Sequence, residues 1–369
     1  MRILYLLTSL GIGGAEKQVI LLAERMASKG HFVTLIVLKH TDEEWPTKLP
    51  VLRLNIQKSP LGILRGLRFA KNFLTLFRPD ILHSHTFPAN VFTRLLRAVL
   101  SVKGATPRVI NTIHNVHEGG WHRMLIYRFT DMWSDQASAV SKAAADRFVH
   151  LHAVPARKMR VLTNGIDAEF FTSDRGRRRR MRAEMQAGAD FVWLAVGRLA
   201  PAKDYPNLFR AFADVRLANS KTQLWIAGEG EISSLKSDFA ETKENPWVRF
   251  LGLRRDIVDL LDAADGFVLS SEWEGMPLAL AEAMSMEKVV VATDVGGVRE
   301  LVADAGFIVP VKDRSALSAA MQEVMDQVEM KRKFFGRNAR ERIQHHFSIG
   351  AKAIEWEQLY HSLIDGKPV

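Results

Sequence analysis

Short apolar runs recur along the chain, separated by stretches in which apolar residues return every three or four positions. The short runs have the length and β-branched content of buried strands: Arg2–Leu7, Phe32–Leu38, Val51–Ile56, Ile81–His85, Val109–Ile113, Ala137–Val140 and Arg160–Leu162 in the first half. In the second half they are Phe191–Val196, Gln223–Ala227, Val248–Phe250, Gly266–Leu269, Val289–Ala292 and Phe307–Val309. Ala15–Lys29, Leu61–Phe77, Ala89–Leu100, Met124–Trp133 and Ser141–Val149 carry helical spacing. Strand and helix alternate, which predicts parallel sheets with crossover helices, formed twice over. The break falls near Asn164-Gly-Ile-Asp167, a turn-like segment after a strand. Expected domains are therefore residues 1–165 and 166–350, with the helical segment 351–369 returning to the first domain.

Composition sharpens this picture in three ways. No apolar stretch is long enough to span a bilayer, and Arg2–Leu7 reads as a first strand, not a signal peptide. The absence of cysteine excludes disulfides, zinc–thiolate sites and thiol nucleophiles, and fits a reducing compartment. The formal charge of +10 is unevenly placed. Residues 1–165 hold 23 Lys/Arg against 10 Asp/Glu, a net +13, while the remainder is nearly balanced. A basic first half implies an anionic partner, whether membrane surface, phosphorylated acceptor or nucleic acid. Two segments concentrate that charge. Leu61–Phe77 carries Arg65, Arg68 and Lys71 among apolar residues, the pattern of a helix that lies on an anionic membrane or of a core-facing helix with a solvated face. Arg175–Arg182 is read as a solvated, mobile helix start, with a nucleic-acid patch as the alternative.

Ligands of open α/β sheets bind beyond the carboxyl ends of strands, so the loops after strands are where chemistry is expected. The most informative is Glu274-Gly-Met-Pro-Leu-Ala-Leu-Ala-Glu282. Pro277 suits a first helical turn, which places Glu274 in the loop before a helix and Glu282 one to two turns inside it. The unpaired N–H groups of Gly275, Met276 and Leu278 would then favour an anion, flanked by two carboxylates able to accept from sugar hydroxyls. In Val196-Gly-Arg198-Leu-Ala-Pro-Ala-Lys203, Arg198 and Lys203 form a candidate clamp for a diphosphate, Arg as a fork and Lys as a point charge. The glycines of Thr8–Lys17, Gly13 and Gly14 among them, allow close backbone approach to a ligand but do not make the dinucleotide fingerprint. His83 and His85 share one strand face, with no third metal ligand evident, and His114 ends another strand as a candidate contact for a transferred sugar.

These segments, with Pro79-Asp-Ile-Leu-His-Ser-His85, Asn164–Asp167, Ala227-Gly-Glu-Gly230, Phe250-Leu-Gly252 and Asp294-Val-Gly-Gly297, run in one order over most of the chain. The chain resembles glycosyltransferase family 4, the retaining enzymes of the GT-B fold. The resemblance implies two Rossmann-like domains facing across a cleft, the first for the acceptor and the second for a nucleotide-sugar. It implies that Arg198 and Lys203 hold the donor diphosphate, Glu274 contacts the donor sugar, and Glu282 accepts from the ribose. The amides of Gly275, Met276 and Leu278, around Pro277, would hold phosphate and sugar. Gly14 would approach the diphosphate, His114 would meet the sugar near the reacting carbon, and the loop with Arg254 would cradle the base. The expected reaction is transfer from a nucleoside diphosphate sugar, UDP-sugar by family frequency, with no cofactor and no essential metal. The +13 half and the Leu61–Phe77 helix point to a lipid-linked or envelope saccharide acceptor at the cytoplasmic membrane face. A sugar-nucleotide 2-epimerase of the same fold and a basic nucleic-acid-binding protein are the rivals.

Overall fold

The computed structural model describes residues 1–57, 59–100, 107–230 and 246–366, so the last three residues of the expected segment 351–369 lie outside it. Contacts divide the chain into two compact units: residues 1–165 with the terminal helix Ile349–Asp365, and residues 166–348. Ile349 and Gly350 thus group with the first unit, slightly ahead of the sequence boundary.

The first unit holds a parallel sheet of β1 (Arg2–Leu7), β2 (Phe32–Val37), β3 (Val51–Arg53), β4 (Ile81–His85), β5 (Arg108–Ile113), β6 (Gln136–Ala139) and β7 (Met159–Val161), ordered β3-β2-β1-β4-β5-β6-β7. The second holds β8 (Phe191–Val196), β9 (Thr222–Ala227), β10 (Val248–Gly252), β11 (Gly266–Leu269), β12 (Val289–Thr293) and β13 (Phe307–Val309), ordered β10-β9-β8-β11-β12-β13. Both sheets are doubly wound, which is the architecture of the GT-B fold. The chain lays down the central strand, winds to one edge, then returns to the far side. The order reverses between β1 and β4 in one sheet and between β8 and β11 in the other. At such a reversal the two crossover connections leave to opposite faces of the sheet, which opens a crevice beyond the strand ends.

Strand period explains how each sheet is covered on both faces. Ile3, Tyr5 and Leu7 pack with Val19, Leu22 and Met26 of the helix Gly14–Ser28 and with Trp356, Leu359 and Tyr360 of the terminal helix. The alternate residues Leu4 and Leu6 pack with Leu67, Leu74 and Leu82 on the other face. The terminal helix is therefore part of the first unit's core. Its Tyr360 hydroxyl lies 3.0 Å from that of Tyr5 and 2.7 Å from His83 Nδ1, all of them buried.

The arginine-rich segment corrects the sequence reading. Arg175–Glu184 is an ordered helix whose N-cap, Asp174, accepts from Arg177 N. Arg178 Nη1 donates to the carbonyls of Asp262, Ala263 and Ala264 at 2.9 Å each, at the end of the helix Ile257–Ala263. Arg177 binds Asp262, and Arg178 and Arg182 bind Asp265. The last carbonyls of a helix have no internal partner, and here guanidinium groups supply it. Arg177, Arg178 and Arg182 are therefore structural, while Arg175, Arg179 and Arg180 stay exposed.

Candidate functional site

In the second unit the two loops of the sheet reversal converge. The loop after β8 carries Arg198 and Lys203; the loop after β11 carries Glu274 to Pro277 and feeds the helix Leu278–Ser285. Lys203 Nζ meets Glu274 Oε1 at 2.6 Å, and Ser271 Oγ donates to the same oxygen at 2.7 Å. Further contacts lock the loops together. Ser270 Oγ donates to Lys203 O at 2.7 Å, and Glu272 N donates to Ala202 O at 2.8 Å. Tyr205, at the start of the next helix, donates its hydroxyl to Gly197 O at 2.8 Å, and burial raises its pKa. Arg198 is exposed and makes no hydrogen bond among the described residues. Five N–H groups therefore remain for an anion.

Pro277 stands at the N-cap and not inside the first turn, so the helix begins at Leu278, one residue later than the sequence reading placed it. Pro277 has no N–H, and Leu278 opens the run of unpaired amides. Glu282 is buried one turn further in, and Met276 and Leu278 are buried beside it. The loop's shape is held from a third strand. Gly296, after β12, has φ +53°, and a Cβ there would stand 2.4 Å from Glu274 O and 2.7 Å from Gly275 O. Gly297 N donates to Gly275 O at 2.7 Å, and Thr293 Oγ1 donates to Ser271 O at 2.6 Å. Only a residue with no side chain and tolerance of the left-handed region fits. The sequence reading quoted Asp294–Gly297 without giving it a task. It did not find Tyr205, Ser270, Ser271 or Thr293, whose single polar atoms carry no pattern.

Close glycine approaches also order the neighbouring strand ends. A Cβ on Gly228 would meet Gly197 O at 2.0 Å, and one on Gly230 would meet Leu199 O at 2.4 Å. Leu199 N donates to Glu229 O at 2.7 Å, and Gly228 N to Gly252 O at 2.8 Å. Arg254, beyond Gly252, is half-buried, with Nε donating to Asp256 Oδ1 at 2.8 Å. The fork is directed onto Asp256, which draws the carboxyl pKa down.

The first unit gathers its own candidates around the ends of β1, β4 and β5. Thr8 and Thr86, which follow β1 and β4, pair through their hydroxyls at 2.8 Å. Gly13 is the N-cap of the helix Gly14–Ser28 and accepts from Trp45 Nε1 at 3.1 Å. His83 is fully buried between Tyr360 and Thr112, with Nε2 2.6 Å from Thr112 Oγ1. His85 Nδ1 lies 2.9 Å from His114 Nε2, and His83 and His85 rings sit 4.1 Å apart. Burial holds His83 and His85 well below the usual histidine range and brings His114 down to about 4. All three are neutral near pH 7. No group of three or more potential metal ligands occurs among the described residues.

The loop after β5 has a second anchor, one the sequence reading missed. Glu118 Oε1 accepts from His114 N at 3.1 Å, and Oε2 accepts from the Tyr127 hydroxyl at 2.8 Å. Asn90 Nδ2 donates to Tyr127 Oη at 2.9 Å and to Thr112 O at 3.1 Å. Burial pushes the Glu118 carboxyl up to about 7, with the Tyr127 bond opposing.

The halves of the chain match two family models: glycosyltransferase family 4 over residues 12–170, and glycosyl transferases group 1 over residues 177–342. Among curated relatives, the Escherichia coli UDP-Gal:alpha-D-GlcNAc-diphosphoundecaprenol alpha-1,3-galactosyltransferase is 27% identical over 312 residues, covering 78% of this chain and 76% of the relative. The putative glycosyltransferase EpsD of Bacillus subtilis is 25% identical over 340 residues, covering 89% of this chain and 87% of its own. Among solved structures, HepE of Anabaena in complex with UDP-glucose superposes with a TM-score of 0.86 at 20% identity, covering 98% of this chain and all of that one (100%).

Proposed function

The chain belongs to glycosyltransferase family 4, and from that premise we propose that it moves a sugar from a nucleoside diphosphate, UDP in the first instance, to a hydroxyl of a lipid-linked or envelope saccharide, with retained anomeric configuration. The observation that carries this reading is the Lys203–Glu274 pair, 2.6 Å apart where the sheet order reverses. A carboxylate and a cation are fixed together beside the mouth of a helix.

The roles follow from the chemistry of those groups. An ammonium has three N–H donors, and Glu274 takes one from Lys203, leaving two for a diphosphate oxygen. Arg198 adds a planar fork, and the first amides of the helix, from Leu278 onward, add its positive end. Together they stabilise the charge that grows on the departing diphosphate as the glycosidic bond breaks. Glu274, positioned by Ser271 and Lys203, orients a sugar hydroxyl, and Glu282 accepts from the ribose. Arg254 borders the base. In the first unit Gly13 and Gly14 give close backbone approach, and His114 meets the sugar near its reacting carbon. In a front-face reaction the leaving phosphate oxygen takes the acceptor proton, so charge stabilisation matters more than a protein base.

Two comparisons favour UDP: HepE is solved with UDP-glucose, and the Escherichia coli relative is named for UDP-Gal and a diphosphoundecaprenol acceptor. The membrane face rests on surface chemistry. The helix Pro60–Phe77 exposes Leu61, Leu64, Phe69 and Leu76 together with Arg65 and Arg68, and it contains no acidic residue. No helix among the described residues is long and apolar enough to cross a membrane.

A thermal-shift panel of UDP, GDP, ADP and their sugars tests the donor. Uridine ligands should raise the melting temperature in wild type and less in Lys203→Ala, since a ligand that favours the native state stabilises it. No shift with any nucleotide would reject the reading. Product analysis without acceptor separates transfer from 2-epimerisation. Charge reversal at Arg65, Arg68 and Lys71 should weaken sedimentation with anionic vesicles while leaving nucleotide binding intact; unchanged sedimentation removes the membrane element.

A further inference from the structure

We propose that His85 is a positioning residue that locks His114 into one orientation and one tautomer, so that His114 presents its Nδ1–H as a hydrogen-bond donor to the ligand. This deepens the reading of His114 as a sugar contact and rests on it.

The argument begins with confinement. His85 ends β4, is almost fully buried, and has His83 at 4.1 Å and the Tyr5 ring stacked at 5.9 Å. β4 is flanked by β1 and β5, with His85 in register with Thr112. The imidazole therefore has little freedom to turn. Its Nδ1 meets His114 Nε2 at 2.9 Å, while its Nε2 is buried with no hydrogen-bond partner. A second constraint acts on the backbone of the same residue, because His114 N donates to Glu118 Oε1. His114 is thus gripped by its ring from the end of β4 and by its main chain from within its own loop.

Proton placement follows from counting donors. Both rings are neutral near pH 7, so each carries one N–H and the shared bond contains one proton. If His114 Nε2 donated, the His85 proton would sit on Nε2, a buried N–H with nothing to accept it. If His85 Nδ1 donates, the atom left bare is an acceptor. Orphaned buried N–H groups are rarer than under-satisfied acceptors in folded proteins, so His85 Nδ1–H donates to His114 Nε2. The remaining His114 proton then sits on Nδ1, which has no partner among the described residues. A neutral ring fixed in this way offers a donor, which suits a sugar hydroxyl oxygen or a phosphate oxygen. It cannot serve as the base for an acceptor through that nitrogen.

Nitrogen-15 spectra of the wild-type protein test the lock directly. Two-bond imidazole correlations at pH 7 should show both His85 and His114 protonated at Nδ1; a His114 ring protonated at Nε2 would overturn the proposal. Kinetics test its consequence, read as UDP release from UDP-glucose, UDP-galactose or UDP-N-acetylglucosamine, whichever binds in the panel. His85→Asn places an amide near the old Nδ1 and should keep kcat within about threefold. His85→Gln places it near Nε2 and should lower kcat about five- to tenfold with KM little changed, the range of one lost neutral hydrogen bond. Equal rates in the two variants, both folded, would refute the positioning role. His114→Ala separates the two claims. If it leaves UDP release unchanged, the sugar-contact reading fails, while the spectra still decide the tautomer.

Discussion

Replacing Gly296 by alanine tests whether the geometry of the Glu274 loop matters, without touching any polar group. Two effects add. A non-glycine residue at φ +53° costs about 1–2 kcal/mol. The new Cβ would also lie 2.4 Å from Glu274 O, so that backbone must withdraw by at least 0.6 Å to reach the 3.0 Å below which real contacts essentially never fall. Overpacking of this kind costs about 1–3 kcal/mol. Gly188 is the control: it has φ +54° with nothing within 4 Å, in the same unit. Gly188→Ala should lose only the backbone part, about 1–2 kcal/mol, and keep full activity. Gly296→Ala should lose about 2–5 kcal/mol in urea unfolding. It should also lower sugar transfer about a hundredfold, because the 2.6 Å Lys203–Glu274 contact moves with the loop. Equal stabilities for the two variants, or wild-type transfer by Gly296→Ala, would refute this account.

Other consequences can be checked in parallel. Lys203→Ala and Arg198→Ala should each slow transfer about tenfold or more, if each supplies over ~1.4 kcal/mol to the departing diphosphate; wild-type rates in both would reject the clamp. Glu282→Gln should mainly raise the Kd for UDP, measured by calorimetry, with kcat at saturation little altered. Arg178→Ala removes one of two donors from each carbonyl of residues 262–264, which keep Arg182 or Lys288, and one ion-pair partner from Asp265; it should cost about 1–2 kcal/mol, whereas exposed Arg179→Ala should stay within about 0.5 kcal/mol by the same denaturation assay. The buried histidines set an acid limit. The folded pKa of His114, about 4, lies below its unfolded value, so the unfolded chain binds more protons as pH falls below 6.5. Stability should therefore drop between pH 6.5 and 4, and His114→Gln should flatten that slope by about one proton.

Much of the fold was legible because a parallel strand buried on both faces must be apolar throughout, as Val289–Ala292 is, and crossover helices must separate such strands. Loops after such strands were the expected place for chemistry, which is why those holding Lys203 and Glu274 stood out, whereas the strand order and its reversal points carry no local signal. What escaped was pairing. Nothing local to Lys203 says that its ammonium meets Glu274, or that Ser271 shares the same oxygen. Gly296 had no task in the sequence because its constraint comes from a carbonyl more than twenty positions earlier. The arginine-rich segment escaped for a like reason: the partners of Arg177, Arg178 and Arg182 are main-chain carbonyls and two aspartates some eighty residues away, which no local pattern announces. Glu118 was hidden too, and His85 was seen only as a histidine sharing a strand face with His83, since a buried polar network is written in distances and leaves no periodic trace.

The terminal helix has a consequence for how the molecule is made. Tyr360 and Trp356 are built into the interior formed by β1 and β4, yet they leave the ribosome after the second unit. The whole second unit must be synthesised before the first can be finished, and until then the pocket around Tyr5 and His83 stands open. Early release of a chain ending before residue 349 would leave that apolar notch without its plug, a species prone to aggregate or to recruit chaperones.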